Sequence, residues 1–158
     1  MRIEAARLKW SQMTCGCGRS ADHIPDDFLA SLQGPPSSRT GEGWADNHAY
    51  VQSNLMQPAV ATTSMVMAAL AGGAPLEHRR QLFIVLLNLV SGEQEDVAEE
   101  CLRLVRSGSW LLYEEISSGR NIDSASYAFE ILTLMEEESD RLKYFHEFIK
   151  ENLSSDLR

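Results

Sequence analysis

Apolar residues along this chain recur three and four positions apart, the spacing of a buried helical face, and nowhere alternate with period two over any length. Ile3, Ala6, Trp10 and Met13 predict a first amphipathic helix. A second opens at Asp22 as N-cap, has Pro25 in its first turn and buries Phe28, Leu29 and Leu32. The stretch GPPSSRTGEG, Gly34 to Gly43, gathers prolines and glycines and is expected to be a solvent loop. Beyond it a short helix is predicted over Trp44 to Gln52. Another runs from Pro58 to the Gly72-Gly73 pair, and a third from Pro75 to Ser91-Gly92 with Leu82, Phe83, Leu86 and Val90 inward. An acidic helix follows from Glu93 towards Ser107, then one carrying Trp110, Leu111, Tyr113 and Ile116 up to Gly119. Asp123 or Ser124 caps a helix with Tyr127, Ile131, Leu132 and Met135. Ser139 caps the last, which buries Leu142, Phe145, Ile149 and Leu153.

The predicted starts near 58, 75, 93, 109, 124 and 139 are about 15 to 18 residues apart, so two helices occupy about 33 residues, the length of a helical-pair repeat. The expected fold is all-α, with HEAT-like helical pairs stacked as a short right-handed α-solenoid in one domain over residues 1–158. A compact helical bundle satisfies the same spacing. A length of 158 residues with 44% hydrophobic and 23% charged positions suits one such domain. Asn47 to Leu76 holds no Asp, Glu, Lys or Arg, but its most apolar part is alanine-rich and shorter than the about 20 residues that span a bilayer. The first ten residues lack the apolar core of a signal peptide. A cytoplasmic protein without a membrane partner is expected.

Charge narrows the function further. The net charge is −9, which argues against nucleic acid as a partner. Residues 1–92 carry seven acids and seven bases, so the whole excess lies in residues 93–158. It clusters at Glu95-Asp96-Glu99-Glu100, at Glu114-Glu115 and at Glu136-Glu137-Glu138. Aligned on successive helices, these acids would make a negative strip that steers a basic partner. Trp110 and Tyr113 flank Glu114-Glu115 as aromatics suited to anchor an interface, whereas Trp10 and Tyr127 read as core. The expected partner-binding residues are therefore Trp110, Tyr113, Glu114, Glu115, Glu136, Glu137 and Glu138, with Trp44 and His48 as a second location.

Catalytic chemistry finds little support. No Gly-x-Ser-x-Gly elbow or phosphate-cradling loop surrounds the serines or the histidines His23, His48, His78 and His146. Glu99-Glu100 and Glu114-Glu115 diverge by about 100° on a helix, so neither pair is a preformed dyad. Cys15-Gly16-Cys17 with His23 invites a zinc reading that needs a fourth ligand, for example Cys101. One residue between the cysteines is shorter than the usual two to four. The expectation is no catalytic residue, no metal, no cofactor and no small-molecule substrate.

The stretch GRSADHIPDDFLASL, Gly18 to Leu32, resembles the opening of a group of bacterial HEAT-like repeat proteins, in which a Gly-Ser-Ala-x-Asp-(apolar)-Pro phrase leads into an apolar helix. Those proteins continue with a Trp, a His-Gln-Gly segment, a Pro-Ala-rich helix and a leucine-rich one. Here Trp44, VQSN at Val51 to Asn54, PAVATTSMVMAAL from Pro58 and RRQLFIVLLNLVSGE from Arg79 follow in that order. The likeness covers about the first 93 residues and departs at Val51 and Ser53, where the family often shows His and Gly. The resemblance implies an α-helical scaffold that binds macromolecules. In some members it implies an immunity protein that occludes a toxin, here a basic one such as a nuclease or nucleic-acid-modifying enzyme. A general adaptor is the alternative. HEAT-like DNA glycosylases share the architecture but need a basic surface against phosphates, which a charge of −9 opposes.

Overall fold

A computed structural model describes residues 2–158, which form eight α-helices, four short 3-10 turns and one two-stranded hairpin. The helices are α1 (Arg2–Arg7), α2 (Ile24–Ser31), α3 (Ala59–Ala71), α4 (Leu76–Val90), α5 (Glu95–Arg106), α6 (Ser109–Ser118), α7 (Ile122–Thr133) and α8 (Ser139–Ile149). The hairpin pairs β1 (Tyr50–Val51) with β2 (Asn54–Leu55), Tyr50 facing Leu55 and Val51 facing Asn54. The all-α class expected from the periodicity is the class observed, and from α3 to α7 each helix lies within about three residues of its predicted limits, while α8 stops at Ile149 and Leu153 follows a separate 3-10 turn.

Burial explains the arrangement. Between Pro58 and Gly72, α3 carries no charge and is buried almost all round, so it forms the centre. It packs along α5 and against α4, while α4 packs along α7 and α7 along α6. α5 is sharply two-faced, with Ala98, Cys101, Leu102 and Val105 inward and its acids outward. Phe83, Met65, Leu86, Leu112, Ile116 and Ile131 are among the side chains fully enclosed between these helices. Each contributes about 1.5–3 kcal/mol by leaving water. α8 closes the far side, resting on α7 and on the 3-10 turn Glu136–Glu138. Among the described residues, no helix is long and apolar enough to cross a membrane.

The N-terminal third differs from its prediction. α1 stops at Arg7, and Ile3 and Ala6 face solvent instead of forming one buried stripe with Trp10. Trp10 is buried in a separate 3-10 turn, where its indole N–H donates to the Ala5 carbonyl at 2.8 Å. The helix expected over Trp44 to Gln52 is a run of turns entering the hairpin. Asn47 (φ 62°) and Gln52 (φ 56°) are left-handed there, which an α-helix does not admit. The segment 34–43 has no helix or strand, as expected, but it is tied down: His78 Nε2 lies 3.0 Å from the Gly34 carbonyl, and Gln81 donates to Ser37.

Capping also differs. Ser20 precedes a 3-10 turn that runs into α2, so Asp22 caps nothing. Asn121 caps α7 in place of Asp123 or Ser124, and Ser139 is the first residue inside α8.

Candidate functional site

The residues assigned to a partner divide into displayed and buried groups. Trp110 is 68% exposed, and Glu114, Glu136 and Glu137 face solvent. Tyr113, Glu115, Glu138 and Trp44 are buried, so direct contact with a partner is corrected for all four. Trp44 packs on Phe28 with ring centroids 4.5 Å apart. Glu115 accepts from Arg79 Nε at 2.6 Å and from Ser124 Oγ at 2.7 Å. Burial pushes its carboxyl up, but the hydrogen bonds from Arg79, Ser124 and Arg120 outweigh that and hold it below the ordinary carboxylate range. The single negative strip is interrupted as well: Glu114 pairs with Arg120 at 2.8 Å, and Glu137 pairs with Arg106.

Tyr113 and Glu138 instead support Trp110. The Tyr113 hydroxyl donates to Glu138 at 2.9 Å, and Arg141 donates to the same oxygen at 2.9 Å. Burial, followed by that carboxylate, pushes the Tyr113 phenol up to about 12. The Arg141 guanidinium lies over the Trp110 ring, 4.8 Å from its centroid, a cation–π contact that fixes the indole at the surface. Along α8, Arg141, Tyr144 and Phe148 stand at i, i+3 and i+7, on one face. Tyr144 is 78% and Phe148 86% exposed. Trp110, Arg141, Tyr144 and Phe148 thus form an aromatic stripe, flanked on α8 by Asp140, Glu147 and Lys143, of which Lys143 pairs with Asp140 at 3.5 Å. An open groove of about 410 Å³, lined by Phe129, Leu132, Met135, Leu142 and His146, runs between α7 and the other flank of α8. Sequence reading missed Tyr144 and Phe148. The signal was their phase, each one residue ahead of the inward positions Phe145 and Ile149.

A second constellation lies in the N-terminal third. Residues 13–21 form a tight loop in which Thr14 bridges Ser20, Cys15 N–H donates to the Arg19 carbonyl at 2.8 Å and Gly18 takes φ +81°. Gly16 lets this loop touch the turn 45–49. Its N–H donates to the His48 carbonyl at 2.9 Å, and a Cβ there would stand 2.9 Å from the Asn47 carbonyl oxygen. The ligand atoms of Cys15, Cys17, His23 and His48 consequently lie within 4.8 Å of one another. Cys15 Sγ is 3.1 Å from His48 Nδ1, and Cys17 Sγ is 3.8 Å from His23 Nε2. The far nitrogen of His23, Nδ1, donates to the Asp27 carboxylate at 2.8 Å. Hydrogen bonding from Arg19 pulls the Cys17 thiol down to about 5, whereas burial pushes Cys15 up to about 11. Cys101, the example given from sequence of a further ligand, is buried in α5 outside this cluster, whose fourth member is His48.

No family model, curated protein or solved structure matches this chain.

Proposed function

We propose that this chain is a non-catalytic protein-binding module that docks a basic protein on the stripe formed by Trp110, Arg141, Tyr144 and Phe148. The observation that carries the reading is the exposure of Trp110, Tyr144 and Phe148, with Arg141 on the Tyr144–Phe148 face of α8 lying over Trp110. Such patches mark interaction surfaces, and Trp, Tyr and Arg are the residue types that dominate binding energy. The excess of acids over residues 93–158 favours a partner of positive charge and repels phosphate backbones, while beside the stripe Lys143 already neutralises Asp140. A HEAT-like stack of helical pairs is the architecture we assign. The packing of α3 on α5 is what stacking pairs gives, while α4 passes over its next-but-one neighbour to reach α7. The narrowest form of the proposal is an immunity-type protein that masks a basic toxin, supported by the resemblance over Gly18 to Leu32 and by the acidic C-terminal half.

A photo-crosslinking residue placed at Phe148 tests the reading in the native host. Expected is a crosslink to one protein of basic isoelectric point, lost when Trp110→Ala is added. Each anchor removed should weaken binding by about 2 kcal/mol. A crosslink to a second copy of this chain, or equal capture by the Trp110→Ala variant, would overturn it. Expression of the captured protein alone then separates the two forms: toxicity relieved by this chain supports the immunity reading, and a harmless partner leaves the adaptor.

A further inference from the structure

We propose that Cys15, Cys17, His23 and His48 hold one zinc ion. The site lies in the N-terminal third and is independent of the docking stripe. Two sulfurs and two nitrogens converge within 4.8 Å. A tetrahedral zinc, with Zn–S near 2.3 Å and Zn–N near 2.0–2.1 Å, sets its ligand atoms about 3.4–3.8 Å apart. The Cys17–His23 separation of 3.8 Å is already in that range. The Cys15–His48 separation of 3.1 Å has to open by only about half an ångström. Two thiolates and two imidazoles form a set that selects zinc among common divalent ions, and the two thiolate charges cancel those of the ion. Asp27 supplies the outer partner expected of a metal-binding histidine: it accepts the Nδ1–H of His23 and so leaves the Nε2 lone pair facing Cys17.

The short spacing of the two cysteines, which argues against a metal in sequence, is accommodated because Gly16 lets the loop close on the turn that brings His48. The location gives the ion a purpose. Outside α2, the chain from Leu8 to Pro58 holds only 3-10 turns, bends and the two-residue strands of the hairpin. An ion tying the loop 14–20 to the turn 45–49 would staple a region with little regular structure of its own. A Cys17–His23–Asp27 relay for nucleophilic catalysis uses three of the same side chains. It gives no reason for Cys15 Sγ and His48 Nδ1 to converge on the same point.

The test uses the full chain, stripped by chelator and titrated with Co²⁺ and then Zn²⁺. Expected are the ligand-field bands of tetrahedral cobalt with a thiolate charge-transfer band, saturating at one ion per chain and lost as zinc displaces cobalt. Zinc should raise the Tm by about 5 °C or more and slow iodoacetamide labelling of Cys17. His48→Ala and the exposed Cys17→Ser should lower zinc affinity beyond the about 10–100-fold that loss of an outer partner such as Asp27 costs. Cys101→Ser should leave it unchanged. Circular dichroism of Cys17→Ser, whose side chain supports no core, keeps loss of ligand distinct from loss of fold. Absence of the cobalt bands from the folded wild type, or unchanged zinc affinity in His48→Ala, would overturn the site. Labelling of Cys17 that is rapid and indifferent to zinc would also overturn it, in favour of the relay.

Discussion

Removing the Glu115 carboxylate would leave the Arg79 guanidinium, whose side chain is 6% exposed, with Glu114 at 3.6 Å as its remaining counter-charge. Breaking a buried pair from one side typically costs about 3–5 kcal/mol, and the residual Glu114 contact places Glu115→Gln near the lower figure. Urea unfolding at pH 7 measures it. The double variant Arg79→Met/Glu115→Met should be less damaging than Glu115→Gln, since no charge is left stranded. The folded-state carboxyl of Glu115 lies below its unfolded value of 4.5, so its stabilisation is fully present above that pH and is lost as pH falls through the folded value. Wild type should therefore lose stability more steeply than Glu115→Gln below about pH 4.5. Equal slopes would show that Glu115 binds its proton alike in both states.

The helix from Ile122 to Thr133 starts at Asn121, whose side-chain oxygen accepts the Ser124 N–H at 2.9 Å. Asn121→Ala should cost about 1 kcal/mol, read as a lowered denaturation midpoint at unchanged slope, while Asp123→Ala at the cap expected from sequence should cost less. The helices from α3 onward were legible because Pro58, Pro75, Gly108 and Gly119 bracket long 3.6-residue patterns, and tertiary packing reinforces what periodicity predicts. The segment from Trp44 to Gln52 was not. Trp44, Ala45, Ala49 and Tyr50 are buried at nearly helical spacing, yet they turn on left-handed Asn47 and Gln52. A period says which side chains go inside and not by what backbone path. The same limit hid both sites. Trp110 could be singled out beside the acids Glu114-Glu115, but its support by Glu138 and Arg141 required α8 to lie beside α6. Cys15, Cys17 and His23 were visible as potential ligands, whereas His48 joins them only through a turn 31 residues beyond Cys17.

Over the whole molecule, two devices are separated along the chain: a Cys/His cluster in the half of zero net charge, and an aromatic stripe in the half that carries all of the −9. The arginines paired with Glu114 and Glu137 are already counted in that charge, so local pairing reshapes the near field and leaves the distant one intact. The basic partner proposed above would feel the total from far away, and on contact it would meet Trp110, Tyr144 and Phe148. Attraction at a distance sets the association rate, and desolvated anchors set the dissociation rate. Raising salt from about 0.05 to 0.5 M shortens the Debye length from about 14 Å to about 4 Å. Association with the protein captured through position 148 should then slow by about tenfold or more, with little change in dissociation. Trp110→Ala should do the reverse, speeding release while leaving the salt dependence of association as it was. Surface plasmon resonance on wild type and variant across that salt series measures both rates. An association rate indifferent to salt would make the acids of residues 93–158 a solvating surface with no part in steering, and the docking stripe would then have to recognise its partner by shape and apolar contact alone.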